Sequence, residues 1–246
     1  MLGFGTELNN YSRSLIRILY PPYCVLCHAY LKLEETYLCA PCVQLIQPLK
    51  APLCLKCSEP LPPYGKNQSV CSTCRSERPY YNRGFALLRY EDPIKTIFHQ
   101  VKFQKKLWLL EIFSKLIASF SSSINPNDYE MIVPVPLDAR RERERGFNQA
   151  LLIAKMLERS FQKDRLRISA LIAKKKKVLP QSQLKRRERL ENLEGAFCLK
   201  KRGQSLGKRI LLVDDIVTTG STINECAKIL KEDGAECVDF FVLARS

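Results

Sequence analysis

Eight cysteines fall into four pairs with two residues between partners: Cys24/Cys27, Cys39/Cys42, Cys54/Cys57 and Cys71/Cys74. That spacing makes a tight knuckle that turns both sulfurs toward one ion, and tetrahedral zinc takes two knuckles. Four knuckles therefore supply two zinc sites, and with all four ligand positions filled by thiolate the expected role is structural rather than catalytic. Joining first with second and third with fourth closes the smallest loops at the least entropy, although interleaved pairing satisfies the same count. Cys24-Val-Leu-Cys27-His28 also fits covalent haem attachment, but that use leaves three knuckles without a partner.

A second group lies near the C-terminus, in the stretch RILLVDDIVTTGST from Arg209 to Thr222. Ile210 to Val213 is an apolar run suited to a buried parallel strand, and Ile223, Ala227, Ile229 and Leu230 continue at helical spacing up to Gly234. Between strand and helix, Thr218, Thr219, Gly220, Ser221 and Thr222 are small or hydroxylated. Backbone there can wrap an anion at the helix N-terminus, where amide hydrogens and the helix dipole hold a phosphate. Asp214 and Asp215 are expected just past the strand's C-terminal edge, on a solvent-facing loop where open α/β sheets bind ligands; ribose hydroxyls are natural partners for them. A receiver domain also starts with a strand ending in two acids, but it needs more strand-helix units than the remaining chain can form. A nucleotide hydrolase would need a first phosphate motif, and Gly203-Gln-Ser-Leu-Gly207-Lys208-Arg209 has the wrong spacing and lacks the hydroxyl residue.

Other segments must hold these groups in place. Met131 to Val135 and Val238 to Leu243 read as further strands. Tyr90 to Phe120 carries Ile94, Ile97, Phe98 and Val101, then Leu109, Leu110, Phe113, Leu116 and Ile117, the spacing of two packed helices. Lys102 and His99 fall within that stretch, and His99 reads as an ordinary helix histidine. Cys198, Cys226 and Cys237 read as small buried apolar residues. A length of 246 residues allows one substantial core and a small accessory module. We expect residues 20–80 to form the zinc module and residues 81–246 the α/β domain.

No stretch approaches the roughly 20 apolar residues that span a bilayer, and the N-terminus lacks the pattern of an export signal. The expected location is cytoplasmic, where a reducing environment favours metal ligation over disulfides for the eleven cysteines. A net charge of +15 implies attraction to polyanions, whether nucleic acid, phosphorylated small molecules or anionic membrane surface. The runs Arg140 to Arg145, Lys174 to Lys177 and Lys185 to Arg189 concentrate that charge, and solvated faces account for them equally well.

RILLVDDIVTTGST resembles the phosphoribosyl pyrophosphate signature of type I phosphoribosyltransferases. Val133 to Ala150 (VPVPLDARRERERGFNQA), Gln181 to Phe197 (QSQLKRRERLENLEGAF) and the four cysteine knuckles narrow the resemblance to the ComF family, in that family's order, from Tyr23 onward. The resemblance implies a type I phosphoribosyltransferase-like fold, a mainly parallel sheet flanked by helices, preceded by a double zinc ribbon. It implies that Asp214, Asp215 and Arg189 take part in catalysis. Asp214, Asp215, Thr218, Thr219, Gly220, Ser221, Thr222, Arg141, Arg145 and Gln181 would bind phosphoribosyl pyrophosphate with magnesium. Pro136 to Arg145 would meet the pyrophosphate, while Asn148 would also cap the helix that follows. Lys174 to Asn192 corresponds to the loop that closes over substrate, with Gln181, Leu184, Arg189 and Asn192 at the matching positions.

Two classes of function follow from the resemblance. In one, the domain transfers a phosphoribosyl group to or from an acceptor, with cations stabilising the departing pyrophosphate. In the other, the fold keeps its ligand while ribbons and basic loops act as an adaptor for single-stranded DNA or for proteins of the DNA-uptake machinery. Family membership links either class to DNA uptake in natural transformation. The intact Asp214 and Asp215 favour transfer, and the acceptor has no readable code in the chain.

Overall fold

The computed structural model describes residues 21–62, 69–121, 123–161, 166–175 and 195–246. Its centre is a five-stranded, wholly parallel sheet. The strands are β1 (Gly84–Arg89), β2 (Met131–Pro134), β3 (Arg167–Ile168), β6 (Arg209–Val217) and β7 (Cys237–Arg245), in the order β1-β7-β6-β2-β3. A separate antiparallel pair, β4 (Ile172–Lys174) with β5 (Phe197–Leu199), flanks residues 176–194, which lie outside the described residues. Gln181, Leu184, Arg189 and Asn192 are among them.

The two central strands have helices on both faces, so their apolar residues run without alternation, as buried parallel strands require. Leu211, Val213, Phe241 and Leu243 face α3 (Ile94–Gln104), α4 (Ser114–Ser121) and α6 (Gln149–Phe161) through Ile97, Phe98, Ile153 and Leu157. Ile210, Leu212, Phe240 and Val242 turn the other way, toward Ile223, Ala227 and Leu230 of α7 (Ser221–Glu232). Phe98 stacks on Phe113 with centroids 5.5 Å apart, both fully buried; truncating such a ring to alanine costs about 3–5 kcal/mol.

Two expectations are corrected. The region from Tyr90 to Phe120 holds two α-helices, but the second does not begin as one: Lys105 takes a left-handed conformation and ends α3, the next turns form a 3₁₀ segment (Leu107–Phe113), and α4 follows. The acidic pair is not on a loop past the strand. β6 continues through Val217 because β7 runs beside it, pairing Asp214 with Val242 and Ile216 with Ala244.

Each ribbon repeats one design. In the first, His28 N donates to Cys24 O at 2.9 Å and Cys24 N to Ala29 O at 2.8 Å; in the second, Ser58 N donates to Cys54 O at 2.8 Å and Cys54 N to Glu59 O at 2.8 Å. The partner knuckle opens a short helix, α1 (Ala40–Gln44) after Cys39 and α2 (Ser72–Glu77) after Cys71. The ribbons belong to different cores. Cys24, Leu31, Leu38 and Cys42 pack into the cluster built around α3, α4 and α6, whereas Cys54, Cys57 and Cys74 pack into the one built around α7.

Candidate functional site

The ribbons gather the thiols as consecutive pairing expects: Cys24, Cys27, Cys39 and Cys42 in one cluster, Cys54, Cys57, Cys71 and Cys74 in the other, the sulfurs of each within 4.8 Å of one another. Cys27 and Cys39 sulfurs lie 3.5 Å apart, Cys57 and Cys71 sulfurs 3.7 Å apart. Zinc–sulfur bonds of about 2.3 Å in a tetrahedron set sulfurs about 3.8 Å apart, so both clusters fit a structural zinc ion.

The second centre forms where β6 meets α7. Asp214 Oδ1 accepts from Asp215 N at 2.8 Å, and Asp215 Oδ1 accepts from Ile216 N at 2.8 Å. Each carboxylate thus commits one oxygen to the next backbone amide. The other oxygen of Asp215 is buried, accepts no hydrogen bond of ordinary geometry, and meets Lys102 Nζ at 2.5 Å. Asp214 opens to a cavity on one side and is enclosed by protein on the others. Burial, and then the charge of Asp215, push its carboxyl up to about 8, with Lys102 pulling the other way.

The cavity measures about 290 Å³, and four cationic side chains line it with the acids: Lys102, Arg141, Arg145 and Lys174. Arg141 and Arg145 reach it from α5 (Ala139–Arg145), where a spacing of four puts them on one face while Arg140 and Glu144 pair in solvent. Asp138 caps the start of α5 by accepting from Arg140 N at 3.0 Å. Asn148 does the corresponding job for α6, with Oδ1 accepting from Ala150 N at 2.9 Å and Nδ2 donating to Val135 O at 3.0 Å. Burial holds Arg145 below the usual guanidinium range, with Asp215 opposing and Arg141 adding to the shift; burial and then Arg141 likewise lower Lys174. Lys174 is therefore part of the cavity wall and not of a solvated face.

Thr218, Thr219 and Gly220 make the turn from β6 into α7. Gly220 has φ of +80° at the helix cap, and Thr219 Oγ1 lies 2.7 Å from Ser221 Oγ. Thr218 and Thr222 border the acid-bearing cavity. On its other side, Thr218 to Ser221 form a wall of a second cavity, about 460 Å³, closed by the second ribbon and by Arg245. Arg245 binds that ribbon through Glu59, Nε to Oε2 at 2.7 Å, and through Cys57 O at 2.8 Å.

The structure therefore brings together Asp214, Asp215, Arg141, Arg145 and the loop from Thr218 to Thr222. Gln181 and Arg189 lie outside the described residues. The sequence left Lys102 without a role and gave Lys174 a place only in a charge run and at the start of the segment matched to a closing loop. A cue for Lys102 was available, since it stands one turn beyond Phe98 at the edge of an apolar helical stripe.

Residues 15–80 match the double zinc ribbon domain and residues 150–246 the phosphoribosyl transferase domain. The chain is 31% identical to the DNA utilization protein YhgH of Escherichia coli, across 92% of this chain and 98% of that one. The chain belongs to the ComF family. Competence protein F of Haemophilus influenzae is 29% identical, across 91% of this chain and 96% of its own length, and competence protein ComFC of Bacillus subtilis is 30% identical, across 91% and 95%. This ComF-family chain thus joins a double zinc ribbon to a phosphoribosyltransferase-like domain. Lys102, Arg141 and Arg145 fall between the two matched segments. Among the described residues no helix is long and apolar enough to cross a membrane.

Proposed function

We propose that this protein binds phosphoribosyl pyrophosphate, with magnesium, in the acid-bearing cavity and transfers the phosphoribosyl group to or from an acceptor, in the cytoplasm and in the service of DNA uptake. The observation that carries this reading is the meeting, in one cavity, of two carboxylates toward the C-terminal end of β6, the threonines at either end of the turn into α7, and four cations. We take residues 20–80 as the zinc-ribbon unit and residues 81–246 as the ligand-binding unit.

Asp214 and Asp215 accept from the ribose hydroxyls. Thr218 to Thr222 hold the 5′-phosphate against the N-terminus of α7, where backbone amides and the helix dipole favour an anion. Arg141 and Arg145 meet the pyrophosphate, on which negative charge grows as its bond to the ribose loosens, so that fixed cations lower the barrier. Asp214, Asp215 and ordered water would hold magnesium, which would supply positive charge against the pyrophosphate. By resemblance, Gln181 contributes to binding and Arg189 to catalysis.

A second reading is an adaptor that retains the ligand but contacts single-stranded DNA or DNA-uptake proteins, favoured by the net charge of +15 and by the competence and DNA-utilization names of the relatives. Calorimetry with phosphoribosyl pyrophosphate and magnesium, run beside titrations with single-stranded DNA, separates the two. Saturable binding of the sugar phosphate is expected, and its absence overturns the first reading.

A further inference from the structure

Lys102 lies more than a hundred residues from the acids it meets, in a helix with no part in the phosphate turn. Its stem is anchored: the neighbouring Ile94, Ile97, Phe98 and Val101 fix α3 against the sheet, and the ammonium stands 5.5 Å from the Phe98 ring centroid. Both members of its ion pair are largely withdrawn from solvent, with side-chain exposures of 20% for Lys102 and 12% for Asp215. A buried carboxylate left without a partner is strongly destabilising. The ion pair with Lys102 supplies that partner to Asp215 when the cavity holds no ligand.

The oxygen that Lys102 engages is the one Asp215 does not give to the backbone. A ribose hydroxyl or an ordered water that bonds Asp215 meets it at this oxygen, while Asp214 keeps its own uncommitted oxygen. The ammonium has three donors on a flexible four-carbon stem, and can therefore release a carboxylate and turn to another acceptor without its helix moving. The cavity it shares with Arg141 and Arg145 is where an anionic group would supply those acceptors.

We infer that Lys102 is a displaceable counter-ion: it holds Asp215 in the free protein and passes to the pyrophosphate when the sugar hydroxyls take over that carboxylate. This assignment rests on the phosphoribosyl reading of the cavity and adds to it a pyrophosphate-binding residue from outside the signature. It predicts an effect that depends on the ligand. Phosphoribosyl pyrophosphate, inorganic pyrophosphate with magnesium, and ribose 5-phosphate are titrated into wild type, Lys102→Met and Lys102→Arg, with circular dichroism and zinc content confirming the fold. Lys102→Met is expected to lose at least tenfold in affinity for the two pyrophosphate ligands while ribose 5-phosphate stays within about threefold, and Lys102→Arg is expected to recover most of the loss. Equal losses for all three ligands, or no loss for any, overturn the exchange while leaving the site reading intact. Wild-type protein that binds none of the three overturns the site reading, and the exchange with it. Thermal unfolding supplies a ligand-free check: Lys102→Met should destabilise the protein, and Asp215→Asn in the same chain should restore much of the loss. Additive effects of the two changes would overturn the counter-ion role.

Discussion

The hydroxyl of Tyr81 lies 3.4 Å from where a β-carbon would stand on Gly220. The same hydroxyl neighbours the sulfur of Cys74, and the ring packs edge-on against Phe240 with centroids 4.9 Å apart. One residue thus touches a ligand of the second cysteine cluster and the turn that opens α7. Tyr80 N reinforces the link by donating to Asn224 Oδ1 in the first turn of that helix at 2.8 Å.

Gly220→Val should therefore lose phosphoribosyl pyrophosphate affinity by at least tenfold. Its φ of +80° costs an ordinary side chain about 1–2 kcal/mol and a branched one more, and relief would push the turn away from Tyr81. Calorimetry reads the affinity, with circular dichroism checking the fold; unchanged binding would mean the turn does not cradle the phosphate.

Purified protein should contain about two zinc ions per chain by metal analysis. Cys24→Ser should remove about one of them and destabilise the first ribbon; Cys54→Ser should remove the other. Because, among the described residues, the second ribbon packs with Tyr81, which reaches the turn at Gly220, and the first ribbon does not, Cys54→Ser should also weaken sugar-phosphate binding, whereas Cys24→Ser should leave it within about threefold. A single zinc in the wild type would refute the two-site arrangement.

The acidic pair makes two linked predictions. Asp214→Asn with Asp215→Asn should weaken phosphoribosyl pyrophosphate binding at least a hundredfold, since each lost charge-assisted hydrogen bond is worth roughly 1.5–3 kcal/mol. Stability should respond to pH with a definite sign. The folded-state carboxyl of Asp214 sits at about 8, against about 4 in the unfolded chain, so the folded protein keeps a proton that the unfolded one releases. Its contribution to stability is present below pH ~4 and falls as pH rises toward 8. The advantage of Asp214→Asn in thermal unfolding should accordingly grow from pH 5 to pH 8; a constant offset would contradict the shift.

If the protein binds single-stranded DNA, affinity should fall with salt, and neutralising Lys174 to Lys177 should reduce the slope of log K against log salt. Lys174 is turned into the cavity, so the loss should be nearer two units than the three expected if all four contacted phosphates at roughly 0.7 per contact on a single strand. An unchanged slope would remove this run from the nucleic-acid surface.

The cysteine clusters were legible because a knuckle is a local object: two residues fix both sulfurs, and short loops select the pairing. The apolar run Ile210 to Val213 and the small residues after it were legible for the same reason. What escaped depends on distant chain. That Asp214 and Asp215 belong to the strand follows from β7 running alongside, and the depth of Asp215 follows from Lys102 on a helix far upstream. Arg141 and Arg145 came from resemblance, and their shared face needed only the helical spacing of four. Tyr81 carried no sign at all, because an aromatic residue between two modules reads as ordinary core until its neighbours are known.

The strand order has a consequence for synthesis. β6 and β7, side by side within the sheet, come after its other strands in the chain, and among the strands of that sheet β1 and β2 pair only with them or with the short β3. A chain growing on the ribosome can close its zinc knuckles early, since each needs only local contacts and a metal ion. The sheet must wait for β6 and β7. During that interval β1, α3 and α6 expose the apolar faces meant for those strands, so among the described residues the metal-closed ribbons can fold ahead of the sheet, and the apolar segments between are the stretch that a holding chaperone would have to cover.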